Sequence, residues 1–471
     1  MPVASGTQAG LLDDLLGVVT TTVSTTASSL VKVVGSLLYD PDRIVIVMED
    51  DTKAVLQAAA NSDTGVWTEE QRIQNVESIV NALQQHARRS QGPVIQLLSL
   101  LGVQFESHWI SNTIEVSDAP FGLVESILAL VGVKEIIYDV IIDLETAAPP
   151  PTANTLSNTD AATWGATKIE ATSVWATNNT GQGIVVGTID SGVRHTHETL
   201  QSNWVGAYGW YDPVEKTAIP FDPNGHGTHT VATIVGGKGV GVAPGAKWMT
   251  CKGCKAAACP LTILMACAQF MLCPTDTNGK NCDPTKAPHI VNNSWGVGQG
   301  LSYFQPSLDA WAAARILSVF AAGNTGAAGC RTVVSPGDMA DTFSVGATDA
   351  SDVIGTFSSL GPSLNGRIKP DFTAPGVRIR SAWNGSDSDY LLMSGSSMAA
   401  PHLSGTIALA LSARPGLNFD SMRTILINST ERALPKANRI CGGTADTTFP
   451  NNQYGYGRIN AQKVVKAALA Y

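Results

Sequence analysis

Three side chains of this sequence could together carry out acyl transfer, and they occur in the order Asp190, His226 and Ser397. Such a reaction needs a nucleophile, a base that takes its proton, and a buried acid that orients the base. Ser397 lies in Gly395-Ser-Ser-Met-Ala-Ala-Pro401, where a loop leads into a helix predicted over 398–412, with Pro401 in its first turn. Free N–H groups at a helix start favour negative charge, but an ordinary serine N-cap has the same pattern. The assignment of Ser397 therefore depends on the other two residues.

The acid and the base occupy positions that a parallel sheet would bring together. Asp190 ends an apolar stretch, and His226 lies within Asn224-Gly-His-Gly-Thr-His-Thr230 at the start of a predicted helix. Ser294 and Asn324 also follow apolar stretches. Apolar strands without polar alternation, separated by helical segments, are typical of a parallel sheet covered on both faces, in which sites form at the carboxyl ends of strands. We therefore expect Asp190, Ser294 and Asn324 to meet at one edge.

Several segments resemble motifs of the subtilisin-like serine proteases. The three active-site motifs of that family are similar to Thr188-Ile-Asp-Ser-Gly-Val193, His226-Gly-Thr-His-Thr-Val-Ala232 and Gly395-Ser-Ser-Met-Ala-Ala-Pro401. Its oxyanion-hole segment, its substrate-binding strand and a further signature are similar to Ala321-Ala-Gly-Asn324, Asn292-Asn-Ser-Trp-Gly296 and Lys369-Pro-Asp-Phe-Thr-Ala-Pro-Gly376. The ends of the catalytic domain in bacillopeptidase-like members resemble Trp164-Gly-Ala-Thr-Lys-Ile-Glu-Ala-Thr-Ser-Val-Trp175 and Tyr454-Gly-Tyr-Gly-Arg-Ile-Asn460. The resemblance covers about 160–471, with the triad in the family's order.

The resemblance implies a role for each residue of this set. Ser397 Oγ would attack the scissile carbonyl, His226 would act first as base and then as acid, and Asp190 would orient His226 while staying ionised. The side-chain amide of Asn324, together with the backbone N–H of Ser397, would hold the oxyanion. Ser396 is the neighbour most easily confused with the nucleophile, and the register of the motif disfavours it.

Four residues are expected to bind substrate. The backbone of Ser294-Trp295-Gly296 would pair with an extended peptide as an added strand, with the Trp295 side chain shaping an apolar pocket. Asp222 either lines the cleft, as an acidic residue of the family does, or is a solvated turn residue. Asn292 begins a formal glycosylation sequon, and we expect it to be unmodified because a glycan there would block the cleft.

Two foldable units lie on either side of a proline-rich linker. Residues 41–145 have strand and helix patterns in the order β-α-β-β-α-β, the ferredoxin-like arrangement, and this unit is similar to the propeptide of the family. A capping box at Thr68 and Gln71 predicts the start of its first helix, and the last strand is predicted over 133–142, ending at Ile142. Residues 1–40 are a leader without assigned structure, 146–160 a linker with the expected maturation cleavage, and 161–471 the catalytic domain. The predicted fold class is α/β: a subtilisin-like three-layer domain with a mainly parallel central sheet, preceded by a small ferredoxin-like α+β propeptide domain.

The composition limits the class of protein and its compartment. The 471 residues are 44% apolar and 15% charged with a net charge of −9, which argues against a nucleic-acid partner, and no apolar run could span a bilayer. All eight cysteines follow position 250, and their even number favours disulfides and an oxidising compartment over zinc or free thiols. The sequons at Asn178, Asn384 and Asn428 agree with secretion, although the first forty residues form no convincing signal peptide.

No cofactor is expected from the sequence. Cys251-Lys-Gly-Cys254 resembles half of a zinc site, and the pairs His195/His197 and His226/His229 have metal-like spacing, but none has a complete ligand set nearby. Calcium is common in the family, yet no carboxylate-dense loop identifies a site. The sequence thus predicts a secreted, monomeric serine endopeptidase acting on proteins and peptides, made as a zymogen that cleaves its own propeptide. Two rival hypotheses stay open: a catalytically inactive subtilase fold that only binds peptides, and a zinc site in the cysteine cluster.

Overall fold

The computed structural model describes residues 31–32, 38–60, 65–119, 122–144 and 161–471. Most of the leader 1–40 and the whole linker 146–160 lie outside the described residues, so the expectations for both remain predictions. Within the described ranges, no helix combines the length and the apolar character needed to cross a bilayer.

The described residues before 145, here called the N-terminal module, form a mostly antiparallel sheet with four helices. The strands are β1 (Val31–Lys32), β2 (Tyr39–Met48), β3 (Phe105–His108), β4 (Thr113–Ser117) and β5 (Val133–Leu144), and the helices are α1 (Lys53–Ala59), α2 (Glu69–Ser90), α3 (Gly92–Leu100) and α4 (Leu123–Leu128). The strand order is β1-β5-β2-β4-β3. The series β2-α2-β3-β4-α4-β5 is the predicted ferredoxin-like order, whereas α1 and α3 were not predicted.

Helix α2 begins where the sequence predicts. Thr68 Oγ1 accepts the N–H of Gln71 at 3.2 Å, and the Gln71 side chain accepts the N–H of Thr68 at 2.9 Å, which is a reciprocal capping box. Further along the helix, Val76, Val80 and Leu83 are buried, as helical spacing requires of an amphipathic helix.

The described residues from 161 onward, here called the C-terminal module, form three layers around a seven-stranded sheet. The strands of this sheet are β6 (Val185–Asp190), β7 (Trp210–Tyr211), β8 (Lys247–Lys252), β10 (Ile290–Asn293), β12 (Leu317–Ala321), β13 (Phe343–Thr348) and β14 (Phe372–Pro375). Their order is β14-β13-β12-β10-β6-β8-β7, and every pairing is parallel. The predicted α/β class with a parallel central sheet is therefore confirmed.

Helices cover both faces of the parallel sheet. They are α5 (Trp164–Lys168), α6 (Ala171–Trp175), α7 (His226–Val235), α8 (Leu261–Leu272), α9 (Gln305–Ala313), α10 (Ser396–Ala413), α11 (Phe419–Asn428) and α12 (Ala461–Ala470). The short strands outside the sheet are β9 (Ala258–Pro260), β11 (Trp295–Gly296), β15 (Ile379–Ala382), β16 (Tyr390–Met393), β17 (Ile440–Cys441) and β18 (Thr444–Ala445). One face of the sheet shares a core with α7, α10, α11 and α12, and the other with α8 and α9. Burial on both faces explains why the strands are apolar without alternation.

All eight cysteines form disulfides, as the sequence favours. The pairs are Cys251–Cys267, Cys254–Cys259, Cys273–Cys282 and Cys330–Cys441. Three of these bonds close short loops around β8, β9 and α8, and the fourth joins two segments that are 111 residues apart. With every sulfur paired, the hypothesis of a zinc site in the cysteine cluster loses its ligands.

Strand β5 runs two residues beyond its predicted end at Ile142, and its last residues pair with the C-terminal module. It is antiparallel to β9, with Ile142 opposite Cys259, and antiparallel to β11, with Leu144 opposite Trp295. The end of the N-terminal module thus lies as a central strand between two strands of the C-terminal module. Sequence periodicity could not reveal this, because the pairing partners are distant along the chain.

Asp139 of β5 caps a helix of the other module. Its carboxylate accepts the N–H of Thr262 at 3.0 Å and the Thr262 hydroxyl at 2.7 Å, at the start of α8. The N-cap position of α8 is Pro260, which has no side-chain acceptor. Burial raises the pKa of Asp139 from 3.8 to about 6, against the lowering effect of the Thr262 hydrogen bonds.

This raised pKa makes the stability of the joined modules dependent on pH. An acid that is harder to ionise when folded contributes stability that is fully present below pH 3.8 and is lost as the pH rises through about 6. Replacing Asp139 with Asn removes the titration, so between pH 4 and pH 7 the parent should lose roughly 2–3 kcal/mol of unfolding free energy relative to the variant.

The measurement is urea unfolding at several pH values in a Ser397→Ala background, which removes the expected nucleophile. An Asp42→Asn chain, changed at an exposed residue, serves as the control. If the unfolding free energies of the parent and the Asp139→Asn chain changed with pH in parallel, the raised pKa of Asp139 would be contradicted.

Candidate active site

Asp190 and His226 meet at the carboxyl edge of the sheet. Asp190 is the last residue of β6, His226 is the first residue of α7, and both side chains are buried. His226 Nδ1 lies 2.8 Å from Asp190 Oδ1, which also accepts the N–H of Ser191 at 2.7 Å, and Thr230 donates to Oδ2 at 3.2 Å. A carboxylate held by this many donors fixes the imidazole with its proton on Nδ1, so Nε2 is the basic ring atom.

Two glycines allow this close approach. Gly225, the N-cap of α7, has a φ of +99°, and a Cβ there would lie 2.6 Å from the ring of Trp383. A Cβ on Gly227 would lie 2.1 Å from the carbonyl oxygen of Gly192. Both positions therefore require glycine, which accounts for the Gly-His-Gly spacing of the motif.

Ser397 lies in the first turn of α10, which begins at Ser396, two residues before the predicted start. Pro401 therefore lies inside the helix, which corrects its predicted place in the first turn. Having no N–H, Pro401 cannot bond the Ser397 carbonyl four residues earlier. That carbonyl instead accepts the hydroxyl of Ser294 at 3.1 Å, while the Ser397 hydroxyl donates to the Ser294 carbonyl at 3.2 Å. These two hydrogen bonds, one of which replaces the missing helical bond, thus attach Ser397 to the edge of the sheet.

A series of buried hydrogen bonds holds the Ser294 side chain in place. Asn292 Nδ2 donates to Ser294 Oγ at 3.1 Å, and the Ser404 hydroxyl donates to Asn292 Oδ1 at 2.8 Å. The amide nitrogen of the sequon residue Asn292 is therefore buried and bonded. These hydrogen bonds connect β10 to the middle of α10 and so help to fix the position of the start of α10 relative to the strand.

The carboxamide of Asn324 is oriented by Ser396. Asn324 Oδ1 accepts both the N–H and the hydroxyl of Ser396, at 2.8 and 3.1 Å, and Ser396 Oγ accepts the N–H of Gly323 at 3.1 Å. With its oxygen held on this side, the amide directs its N–H₂ group to the opposite side, which is the orientation an oxyanion donor needs. The hydroxyl of Ser396 has a structural role in this arrangement.

Asp222 lies under the loop before α7. Its carboxylate accepts five hydrogen bonds, from the hydroxyls of Ser191 and Thr228 and from the N–H groups of Asn224, Gly225 and Thr228. Burial raises its pKa, against the lowering effect of these hydrogen bonds. Its position differs from both sequence expectations, a cleft-lining residue and a solvated turn residue, because the carboxylate is buried and committed to the loop that positions His226.

The backbone of Trp295 and Gly296 pairs with the end of β5, and the Trp295 side chain is fully buried. The indole Nε1 donates to the Ile189 carbonyl at 3.1 Å, and the ring packs edge-on against Phe304 and Phe320. The apolar pocket beside β5 is lined by Leu261, Val297, Leu301 and Tyr303, among others, and not by Trp295. The pocket expected from Trp295 is thus built by neighbouring residues.

The remaining histidines of the sequence analysis have structural contacts. His229 Nε2 donates to the carbonyls of Ile379 and Leu391, each at 3.1 Å, and burial, followed by the nearby His226, lowers its pKa to about 3. His195 and His197 bond backbone carbonyls through one nitrogen each. Among the described residues, no three side chains of the ligating types are grouped so as to hold a metal ion.

Sequence reasoning missed two parts of this site. Strand β9, which borders the end of β5 opposite β11, lies in a cysteine-rich stretch without periodicity, and only the short spacing of Cys254 and Cys259 hinted at a hairpin there. The network from Ser191 through Asp222 to α7 was missed as well. The sequence feature that could have revealed this network is Ser191, which directly follows Asp190 at the end of a predicted strand.

Together these groups can support nucleophilic acyl transfer. The edge holds an oriented acid–base pair, a hydroxyl at a helix N-terminus and an amide donor beside it, and an extended backbone occupies the adjacent groove. Helices α7 and α10, whose first turns carry His226 and Ser397, pack against each other. These are the components of a hydrolase that attacks a carbonyl.

Comparisons with known proteins agree with this chemistry. Residues 181–457 match the Subtilase family, Peptidase S8. The chain is 32% identical over 446 residues to bacillopeptidase F of Bacillus subtilis (strain 168), covering 88% of this chain and 30% of that protein. It is 30% identical over 324 residues to the serine protease AprX of the same organism, covering 61% of this chain and 67% of that protein. It is 28% identical over 307 residues to subtilisin BL of Lederbergia lenta, covering 64% of this chain and 98% of that protein.

The extent of these matches decides what they establish. The chain spans under a third of the length of bacillopeptidase F, so that relative's full activity is not carried over. The family match, however, covers more than half of the chain and includes Asp190, His226, Asn324 and Ser397. This protein therefore belongs to the subtilase family.

Proposed function

We propose that this protein is a secreted serine endopeptidase that hydrolyses peptide bonds in proteins through Asp190, His226 and Ser397. The observation that carries the proposal is the buried hydrogen bond between His226 Nδ1 and Asp190 Oδ1 at the same sheet edge as the Ser397 hydroxyl. A neutral imidazole held in this tautomer is a base with its basic nitrogen directed away from the acid.

The reaction then follows from these atoms. Ser397 Oγ attacks the carbonyl carbon while its proton passes to His226 Nε2, and Asp190 stabilises the resulting imidazolium. The oxyanion accepts the Asn324 side-chain N–H and the Ser397 backbone N–H. The imidazolium gives its proton to the leaving amine as the C–N bond breaks, and water hydrolyses the acyl-enzyme by the same steps in reverse. Asp222 acts as a positioning residue for the His226 helix.

We further propose that the N-terminal module is an inhibitory propeptide. Strand β5 occupies the groove between β9 and β11, where an extended substrate would add as a strand. Leu144 also donates its N–H to the Ala257 carbonyl at 2.9 Å. A substrate must therefore displace this strand.

The pairing suggests which peptide bond is cut first. Leu144 stands opposite Trp295, one residue short of Ser294, whose carbonyl accepts the Ser397 hydroxyl at 3.2 Å. An extended peptide that continued this antiparallel register would bring its next residue opposite Ser294. We therefore propose cleavage of the bond after residue 145, at the start of the expected linker.

Secretion and a monomeric state complete the proposal. Four disulfides favour an oxidising compartment. Of the four sequon residues, Asn178 and Asn428 are exposed and could carry glycans. The Asn384 amide donates to the Asp222 carbonyl at 2.9 Å, and the Asn292 amide is buried and donates to Ser294 Oγ. The rival hypothesis of an inactive peptide-binding subtilase is disfavoured, because the acid–base pair and the amide donor are both in place.

Neighbouring serines provide a matched pair of variants. Ser397→Ala should leave an uncut precursor without hydrolytic activity, because the nucleophile is gone, whereas Ser396→Ala should still cut itself, because that hydroxyl only orients Asn324. Denaturing gels and a chromogenic peptide measure both activities. An organophosphate probe should label Ser397 alone. Normal self-cleavage by Ser397→Ala, or the absence of any adduct on the parent, would overturn the proposal.

Removing the amide donor tests the oxyanion hole. Asn324→Ala should lower kcat by about 10²–10³ with little change in KM, because the donor acts mainly on the transition state. This magnitude is the one known for subtilisin, a relative, and is taken over from it. Thr325→Ala, in the adjacent residue, is the control and should keep most activity. A rise in KM at unchanged kcat would assign Asn324 to ground-state binding instead.

The position of the first cut is a third test. Intact mass and N-terminal sequencing of the first product should give a chain that starts at Thr146. We attribute the choice of bond to the strand register. If one residue is inserted after Leu144, the cut should therefore still fall one residue beyond Leu144, directly after the inserted residue. A first cut elsewhere within 146–160 would show that the register of β5 does not select the bond.

A further inference from the structure

Besides the core that it shares with α8 and α9, the N-terminal module contacts the C-terminal module at two opposite edges of the parallel sheet. The end of β5 lies near the carboxyl ends of the strands, beside Ser294. The second contact lies at the amino ends: Ile184, His289 and Arg315 precede β6, β10 and β12 and form one surface with the chain around Gly416. This surface is remote from the acid–base pair.

Trp67 is the central residue of this second contact. The guanidinium carbon of Arg315 lies 3.4 Å from the centroid of the indole, and Arg315 Nη1 donates to the carbonyls of Gly65 and Gly416 at 2.7 and 2.9 Å. The N–H of Trp67 donates to the Gly416 carbonyl at 3.3 Å. Trp67 is only 3% exposed, yet it belongs to neither of the cores that contain residues of its own module. Its burial therefore comes from the other module.

The first turns of α2 extend the contact. Arg72 donates to the carbonyls of Ala287 and Pro288 at 3.1 and 3.4 Å, and Glu69 holds the same guanidinium at 2.7 Å. Asn75 donates to the carbonyl of Ala313 at 2.8 Å. Both Arg72 and Asn75 are buried. The C-terminal module thus offers a cation for an aromatic ring and a row of carbonyls for side-chain donors.

We propose that this amino-edge surface, formed by Ala287, Pro288, Ala313, Arg315 and Gly416, is a second docking site that retains the N-terminal module after its tail has been cut. The inference rests on the proposed function, because it supposes the cut after residue 145. Its occupant is the segment 65–75 of the same chain.

Two linked contacts dissociate more slowly than one. Once the chain is cut, the β5 end is held by backbone pairing that any extended peptide can replace. While Trp67 stays on Arg315, a released β5 end remains at high effective concentration near its groove and rebinds. Escape of the module then requires both contacts to open together with the shared core, so the amino-edge surface prolongs inhibition after the cut.

The test compares Trp67→Ala with Val66→Ala in the full chain. Val66 is the adjacent apolar residue and is 37% exposed, so its truncation keeps the docking contact. After self-cleavage, Trp67→Ala should release the module roughly ten- to thirtyfold faster than the parent, the range expected for a buried aromatic anchor. Val66→Ala should match the parent. Release is followed by size-exclusion chromatography of the cut protein and by the lag before a small chromogenic peptide is hydrolysed.

Two further variants separate this contact from general destabilisation. Arg315→Ala should accelerate release similarly, and the double variant with Trp67→Ala should add little, because both remove one contact. Trp67→Phe should restore much of the retention, since a phenyl ring can still stack on the guanidinium. Fully additive effects, or equal release from the Trp67→Ala and Val66→Ala chains, would overturn the proposal.

Failure of the proposed function gives a different result. The first cut is scored separately on denaturing gels, so an uncut parent counts against the peptidase, and unchanged release after a normal cut counts against the docking surface. Hydrogen exchange in the uncut Ser397→Ala chain tests docking without any cleavage. Trp67→Ala should speed exchange in residues 65–75 and 286–290, and exchange equal to that of Val66→Ala would contradict the inference.

Discussion

The common register of β6, β10 and β12 is the constraint on which the active site depends. Ile189 pairs with Asn293, and Asn293 pairs with Phe320, so Asp190, Ser294 and the loop to Asn324 leave the sheet at one level. A slip of one residue would turn Asp190 toward α8 and α9, away from His226. Since both faces are apolar, hydrophobicity alone does not fix this register. The Thr188 hydroxyl donates to the Thr250 hydroxyl at 2.9 Å, and this buried polar pair favours one register of β6 against its other neighbour, β8.

Much of this arrangement was predictable because it is local. Apolar strands without alternation indicated the parallel sheet, Thr68 and Gln71 marked the start of α2, and His226 was placed at the start of a helix. The start of α10 was placed too late, since Pro401 is a strong signal for a first turn and only Ser294 reveals how the lost hydrogen bond is replaced.

What could not be predicted depends on contacts between distant segments. The burial of Asp222 follows from the donors that the folded loop collects around it, and the direction of the Trp295 indole follows from a core formed by Phe304 and Phe320. Cysteine pairing was likewise inaccessible, because eight cysteines allow 105 connectivities. The length of β5 depends on strands that belong to the other module.

The N-terminal module supplies the cap that helix α8 of the C-terminal module lacks. Helix α8 begins at Leu261 after the N-cap residue Pro260, which has no side-chain acceptor, and Asp139 supplies the missing acceptor. A carboxylate near the N-terminus of a helix offsets unsatisfied N–H groups and the positive end of the dipole, so α8 gains order from the N-terminal module. A shared core that joins Ile137 to Leu264 reinforces this contact. The N-terminal module therefore contributes to the structure of α8 as well as covering the groove.

The contacts at the two edges differ in what can replace them. Backbone pairing at β9 and β11 uses no particular side chain, so under the proposed function a substrate would compete directly with β5 there. The stacking of Trp67 on Arg315 and the donors of Arg72 depend on particular side chains and lie at the opposite edge, where an extended substrate in the groove does not reach. Under the proposed function, a substrate would therefore displace the end of β5 without displacing the Trp67 contact. A contact made by backbone and a contact made by particular side chains, placed at opposite edges, would allow the same groove to bind first β5 and then unrelated peptides.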